Sequence, residues 1–136
     1  GALAKQTATS PSEPVIDFAA IAGLKAARPE LLARLIKTYL EYAPKAIGEL
    51  TEARDAGDLG RLATLAHSLK SSSANLGAMT LSQLCRQLEK AAASGDRTSS
   101  LRLASDAIAA YGDVEEVLSE ETADAIVAER AKRATS

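Results

Sequence analysis

The amino-acid sequence predicts an all-α domain: an antiparallel, up-down four-helix bundle with a short additional N-terminal helix and a C-terminal stretch suited to a helical extension. Three observations predict it. Of 136 residues, 46% are hydrophobic but only 3% are aromatic, so Ala and Leu dominate over the residue types that strands prefer. The apolar positions recur at helical spacing. The segments between the periodic stretches are short and marked by Gly or Asp, which makes successive helices antiparallel neighbours.

The length suits one domain with tails, and it is enough chain to bury a core. Residues 1–14 are small and polar, punctuated by Pro11 and Pro14, and are expected to be a flexible linker or an expression remnant. The bundle is expected over 15–120, with 121–136 as a tail. No internal repeat is visible.

Asp17 is placed to cap a short first helix carrying Phe18, Ile21 and Leu24. Pro29 suits the first turn of the second. That helix carries Leu31, Leu32, Leu35, Ile36, Tyr39, Leu40, Ala43, Ile47 and Leu50 and reaches about Ala56, where Gly57 ends it. Pro44 interrupts the pattern and is expected to kink it. Asp58 caps the third helix, which ends near Gly77. Met79 or Thr80 opens the fourth, whose buried stripe is Leu81, Leu84, Cys85, Leu88 and Ala92, and Ser94-Gly95-Asp96 stops it. Thr98 or Ser99 opens the fifth, with Leu101, Leu103, Ala104, Ala107, Ile108, Tyr111, Val114, Val117 and Leu118 on its apolar side. Residues 122–130 either continue that helix or form a separate piece docked on the bundle or on a neighbouring molecule.

Composition narrows the function. The net charge is −2 and no basic block exists, so the electrostatic footprint of nucleic-acid binding is missing. No run of 18 apolar residues is present, so no membrane contact is expected. The first residues do not pair a basic region with an apolar one, as a secretory signal would. A single cysteine fits a reducing cytoplasm, the expected location. Cys85 sits among leucines and reads as packing. No metal site is expected, since one His and one Cys fall short of a usual zinc set.

The chemistry concentrates in residues 65–78, which hold the sole histidine, His67. At about 100° per residue, Leu62, Leu65, Leu69, Ser72 and Leu76 fall within a sector of roughly 80°, and His67 points about 180° from its middle, towards water. Gly60, Ala63, Ala74 and Ala78 lie along its face, with Lys70 on one flank and Ser71 on the other. Little of any size stands beside the imidazole, which suits close approach by another macromolecule. A free imidazole titrates near pH 6.5, so its neutral form is a nucleophile at physiological pH.

His67-Ser68-Leu69-Lys70-Ser71 followed by Ala74-Asn75-Leu76-Gly77-Ala78 resembles the signature of histidine-containing phosphotransfer (HPt) domains, His-x-Leu-Lys-Gly and then a small-residue run ending in Leu-Gly-Ala. The resemblance extends over roughly residues 15–118 through Asp17 to Glu41, Gly57-Asp58-Leu59 and Leu81 to Glu89. Ser71 departs from it, standing where the family usually has glycine, and is still small enough to keep the approach open.

The resemblance implies that His67 accepts a phosphoryl group from a receiver-domain aspartate and passes it to another receiver aspartate in a two-component phosphorelay. It implies a phosphocarrier rather than an enzyme with its own nucleotide site, and no Gly-rich phosphate loop is present. No cofactor is expected on this domain, and the Mg2+ of the transfer is expected on the partner receiver. Lys70, three residues past His67, is within reach of phosphoryl oxygens and is expected to stabilise them; Ser71 either donates a hydrogen bond there or provides room.

Glu89 lies twelve positions past Gly77 and His67 ten before it, so an antiparallel turn brings them to similar height. A carboxylate there would orient the imidazole by accepting from Nδ1–H. Pairing of Glu89 with Arg86 or Lys90 is the competing arrangement, and Gln87 is a weaker partner for His67. Gly60, Ala63, Thr64, Ala74 and Ala78 are the expected docking floor for the receiver. The alternative function is a helical module that docks a receiver or another signalling partner without transferring phosphate. A Ser–His hydrolase fits worst, because Ser68, Ser71 and Ser72 share a helix with His67 and no orienting acid or oxyanion hole is evident.

Overall fold

The computed structural model describes residues 15–135; the expected linker 1–14 lies outside the described residues. Five helices follow one another with no strand among the described residues: α1 Phe18–Ala27, α2 Pro29–Ala56, α3 Leu59–Asn75, α4 Met79–Ala93 and α5 Arg97–Thr135.

The breaks follow local chemistry. Asp17 accepts from the Ala19 amide and Asp58 from the Arg61 amide, each satisfying a free donor at a helix start. Gly57, Gly77 and Gly95 adopt positive φ of 65°, 77° and 79°, the conformation that lets a helix turn back on itself at low steric cost. The last helix begins at Arg97, earlier than Thr98, because Asp96 takes up the Ser99 amide at 3.1 Å and sets the boundary. α2 runs unbroken through Pro44, whose ring is exposed.

Helices α2, α3, α4 and α5 pack in a ring, each against the next and α5 back against α2, which is the up-down four-helix bundle. Ile36, Leu50, Leu62, Leu69, Leu81, Leu88, Val114 and Leu118 lie fully buried at its centre. Tyr39 and Tyr111 meet there with ring centroids 6.1 Å apart. The Tyr39 hydroxyl shares a buried 2.8 Å hydrogen bond with Ser73, so neither polar group is stranded.

The buried stripes are slightly rotated from the sequence pattern. On α3 Ala66 and Ser73 are buried while Leu65 and Ser72 are half-buried; on α4 Ser82 is buried and Leu84 only half. α3 packs against both α2 and α4, and it buries Ala66 and Ser73 alongside Leu62 and Leu69.

α1 caps one end. Asp17 donates its amide to the Gly77 carbonyl at 2.7 Å, Ile16 just before α1 and Ile21 within it are buried in the core, and Lys25 pairs with Glu121 of α5. The tail from 121 continues α5 to Thr135 without a break. At 1.5 Å per residue α5 is about 58 Å long against about 25 Å for α3, so its last turns outrun the bundle. No described helix is long and apolar enough to cross a membrane.

Candidate functional site

α3 turns Leu62, Ala66, Leu69 and Ser73 inward, and the same periodicity turns His67 outward, with 67% of its side chain exposed. α4 returns antiparallel beside it and brings up Glu89. His67 Nδ1 stands 2.6 Å from Glu89 Oε2, and Lys70 Nζ donates to Glu89 Oε1 at 2.7 Å. One carboxylate thus joins both groups. Ser82 of α4 donates to the Lys70 carbonyl at 2.9 Å and ties the two helices together at this level.

The hydrogen bond from Lys70 is the chief reason that the Glu89 carboxyl is held below its ordinary range; partial desolvation opposes it and the His67 contact adds to it. An ionised carboxylate can only accept, so the proton of a neutral ring resides on Nδ1 and the lone pair on Nε2. The two ring nitrogens face opposite ways, so Nε2 is turned away from Glu89. The site offers a nucleophilic lone pair on one ring nitrogen, with the Glu89 carboxylate at the other and the Lys70 ammonium on the same carboxylate.

The other residues singled out in the sequence separate into groups. Ser71, Gly60 and Thr64 are exposed, Ala63 and Ala74 half-buried, and Thr64 Oγ1 donates back to the Gly60 carbonyl. Ala78 does not belong to a docking floor: it is fully buried. It precedes the first residue of α4, its amide donating to the Ser73 carbonyl and its carbonyl accepting from Ser82, so the turn folds it inward. Glu89 forms ion pairs with Lys70 and His67 rather than with Arg86 or Lys90. Cys85 is buried, and burial pushes its thiol up to about 12, consistent with packing rather than reactivity.

Two contacts have no counterpart in the sequence pattern. Lys70 is held by Glu89 instead of standing free. Tyr42 of α2 shares a 2.8 Å hydrogen bond with Ser68, the residue after His67. Neither has a local signal, because each depends on the register between antiparallel helices.

The Hpt domain model matches residues 34–128. Over 75 residues the chain is 33% identical to multistep phosphorelay regulator 1 of Schizosaccharomyces pombe (strain 972 / ATCC 24843), a match covering 55% of this chain and 25% of that protein. The chain therefore spans about a quarter of that relative's length. The crystal structure of histidine-containing phosphotransfer protein B (HptB) from Pseudomonas aeruginosa PAO1 superposes with a TM-score of 0.76 at 26% identity, covering 83% of this chain and 98% of that one. With most of its bundle matched by the family model and its fold shared with a phosphotransfer protein, the chain belongs to the Hpt domain family.

Proposed function

We propose that His67 is the phosphoacceptor of this histidine phosphotransfer module. The observation that carries the proposal is the Nδ1–Glu89 contact, which leaves Nε2 as the free nucleophile on an exposed face. Nε2 attacks the phosphorus of an aspartyl phosphate on a receiver domain. The N–P bond forms as the bond from phosphorus to the acyl oxygen breaks, and the receiver aspartate leaves as a carboxylate. The ring then carries positive charge that Glu89 offsets. The reverse step delivers the phosphoryl group to another receiver aspartate. Mg2+ for the transfer is assigned to the receiver. Positioning and charge neutralisation account for most of what such a transfer requires.

The experiment is single-turnover transfer from a phosphorylated receiver at fixed Mg2+ and salt. Acid-labile label is expected on the protein; its absence with every receiver tested would defeat the proposal.

Lys70 is assigned to the phosphoryl oxygens, moving from Glu89 to the more highly charged group when His67 is phosphorylated. Lys70→Ala should slow transfer about ten- to a hundredfold, the usual cost of one charge-assisted contact, with solvent access favouring the lower end. Rates equal to the parent would leave Lys70 only its structural pairing with Glu89. A linked pH effect follows. Because the Glu89 carboxyl is depressed, its contribution is present above its ordinary titration range and is lost as pH falls through the lowered folded value. In Lys70→Ala that loss should begin at higher pH, as followed by NMR titration of the Glu89 carboxyl carbon.

Ala74 lies two turns from His67 on nearly the same line of α3. Ala74→Arg should slow receiver transfer more than about tenfold with unchanged helicity, since a long cation there crowds a partner out of contact. Unaltered kinetics would show that the partner does not cover this part of α3.

A further inference from the structure

We infer that the Ser71 hydroxyl donates to the phosphoryl group carried on His67 and lengthens its stay there, an inference that rests on the phosphoacceptor assignment of His67. α3 carries five hydroxyls, on Thr64, Ser68, Ser71, Ser72 and Ser73. Four of them are engaged. Thr64 donates to the Gly60 carbonyl, Ser68 shares a hydrogen bond with Tyr42, Ser72 donates to the Ser68 and Leu69 carbonyls, and Ser73 shares a hydrogen bond with Tyr39. Ser71 is exposed, and its hydroxyl has no partner among the described residues.

The place of Ser71 on the helix gives this free donor a use. At about 100° per residue Lys70 lies about 60° to one side of His67 and Ser71 about 40° to the other. Lys70 reaches Glu89 of α4, so Ser71 stands on the flank away from α4, the flank towards which Nε2 turns from Glu89. Residues four apart stack with about 5–6 Å between Cβ atoms, and the Cα–Cβ bond tilts towards the helix N-terminus. The Ser71 hydroxyl is thereby tipped towards the turn that carries His67. Lys70 must leave Glu89 before it meets a phosphoryl oxygen, whereas Ser71 breaks no bond to do so. The other donors on this flank are placed worse: Asn75 is exposed but stands about two turns from His67, and Arg61 is paired with Glu49.

A hydroxyl donating to a phosphoryl oxygen makes a charge-assisted hydrogen bond, stronger than a neutral one. The bond exists while the group rests on His67 and is lost when a receiver takes it. It therefore stabilises the phosphorylated protein relative to the transferred state. Glycine at this place supplies no donor, so the serine sets this chain to retain its phosphoryl group longer.

The test loads the full chain at His67 with potassium phosphoramidate, which needs no receiver, and follows the decay of acid-labile label. A second arm measures how label divides at equilibrium between the chain and a receiver domain that transfers to the parent protein. Ser71→Ala should shorten the lifetime and lower the share held on His67, each about three- to tenfold, the range of one hydrogen bond at an exposed site. Ser71→Gly should do the same. Ser71→Thr keeps the hydroxyl and should stay within about twofold of the parent. Alanine is a better helix former than serine, so Ser71→Ala retains the bundle. A parent-like lifetime and share in Ser71→Ala overturn the inference. So does an equal loss in Ser71→Thr, which would trace the effect to something other than the hydroxyl. Acid-stable label on Ser71 overturns it too, by making the hydroxyl an acceptor of the group. Failure of phosphoramidate to label the parent at His67 overturns the phosphoacceptor assignment instead.

Discussion

His67→Gln is expected to abolish phosphoryl acceptance while leaving the bundle intact. His67 is the sole histidine, so no second imidazole can take its place. Its side chain projects from α3 into solvent, and its removal exposes no core and leaves no cavity. Glutamine is a good helix former whose amide can still donate to Glu89, so the carboxylate keeps a partner. The change in stability should stay within about 0.5 kcal/mol, as for most surface substitutions. The amide nitrogen has no free lone pair to attack phosphorus, and acid-labile label should fall below detection from either a receiver or phosphoramidate. Acid treatment matters to the readout, because serine, threonine and tyrosine phosphates survive it. Acid-labile label retained on His67→Gln would place the acceptor elsewhere.

Gly77→Ala is expected to cost about 2–4 kcal/mol of stability. Gly77 has φ of 77°, where a side chain is strained by about 1 kcal/mol or more. An added Cβ would stand 2.6 Å from the backbone oxygen of Asp17, a rigid neighbour that must shift. That shift weakens the hydrogen bond from the Asp17 amide to the Gly77 carbonyl, worth about 1 kcal/mol, and loosens the buried Ile16 just before α1. Urea denaturation should report the loss. Hydrogen exchange should localise it, with the Asp17 amide losing protection first and α3 keeping its own near His67. A change under about 0.5 kcal/mol would mean that the cap yields without strain.

Much of this architecture was legible along the chain. Asp17 and Asp58 as caps and Gly57, Gly77 and Gly95 at the turns act within a few residues of themselves, so their effect is local and readable. The outward direction of His67 follows from helical periodicity, which any apolar stripe reports. Periodicity is less informative about which of two adjacent columns faces the centre. Leu65 and Ser72 share their sector with Leu62, Leu69 and Leu76, yet Ala66 and Ser73 are the buried pair, because the closeness of α2 and α4 decides which volumes fit.

The tertiary structure alone decided the rest. Ala78 continues the small face of α3 in sequence, but the turn at Gly77 takes the chain off that helix and buries it. The height of Glu89 relative to His67 could be counted across the turn, whereas its choice of Lys70 and His67 over Arg86 and Lys90 could not. That choice depends on which column of α4 lies against α3. The pairing of Tyr42 with Ser68 likewise needs the register of α2 on α3. Local chemistry therefore determined the helices, their ends and the face that carries the histidine. Packing between helices far apart in sequence decided what surrounds that histidine, because hydrogen bonds and apolar contacts depend on distances that only the closed bundle sets.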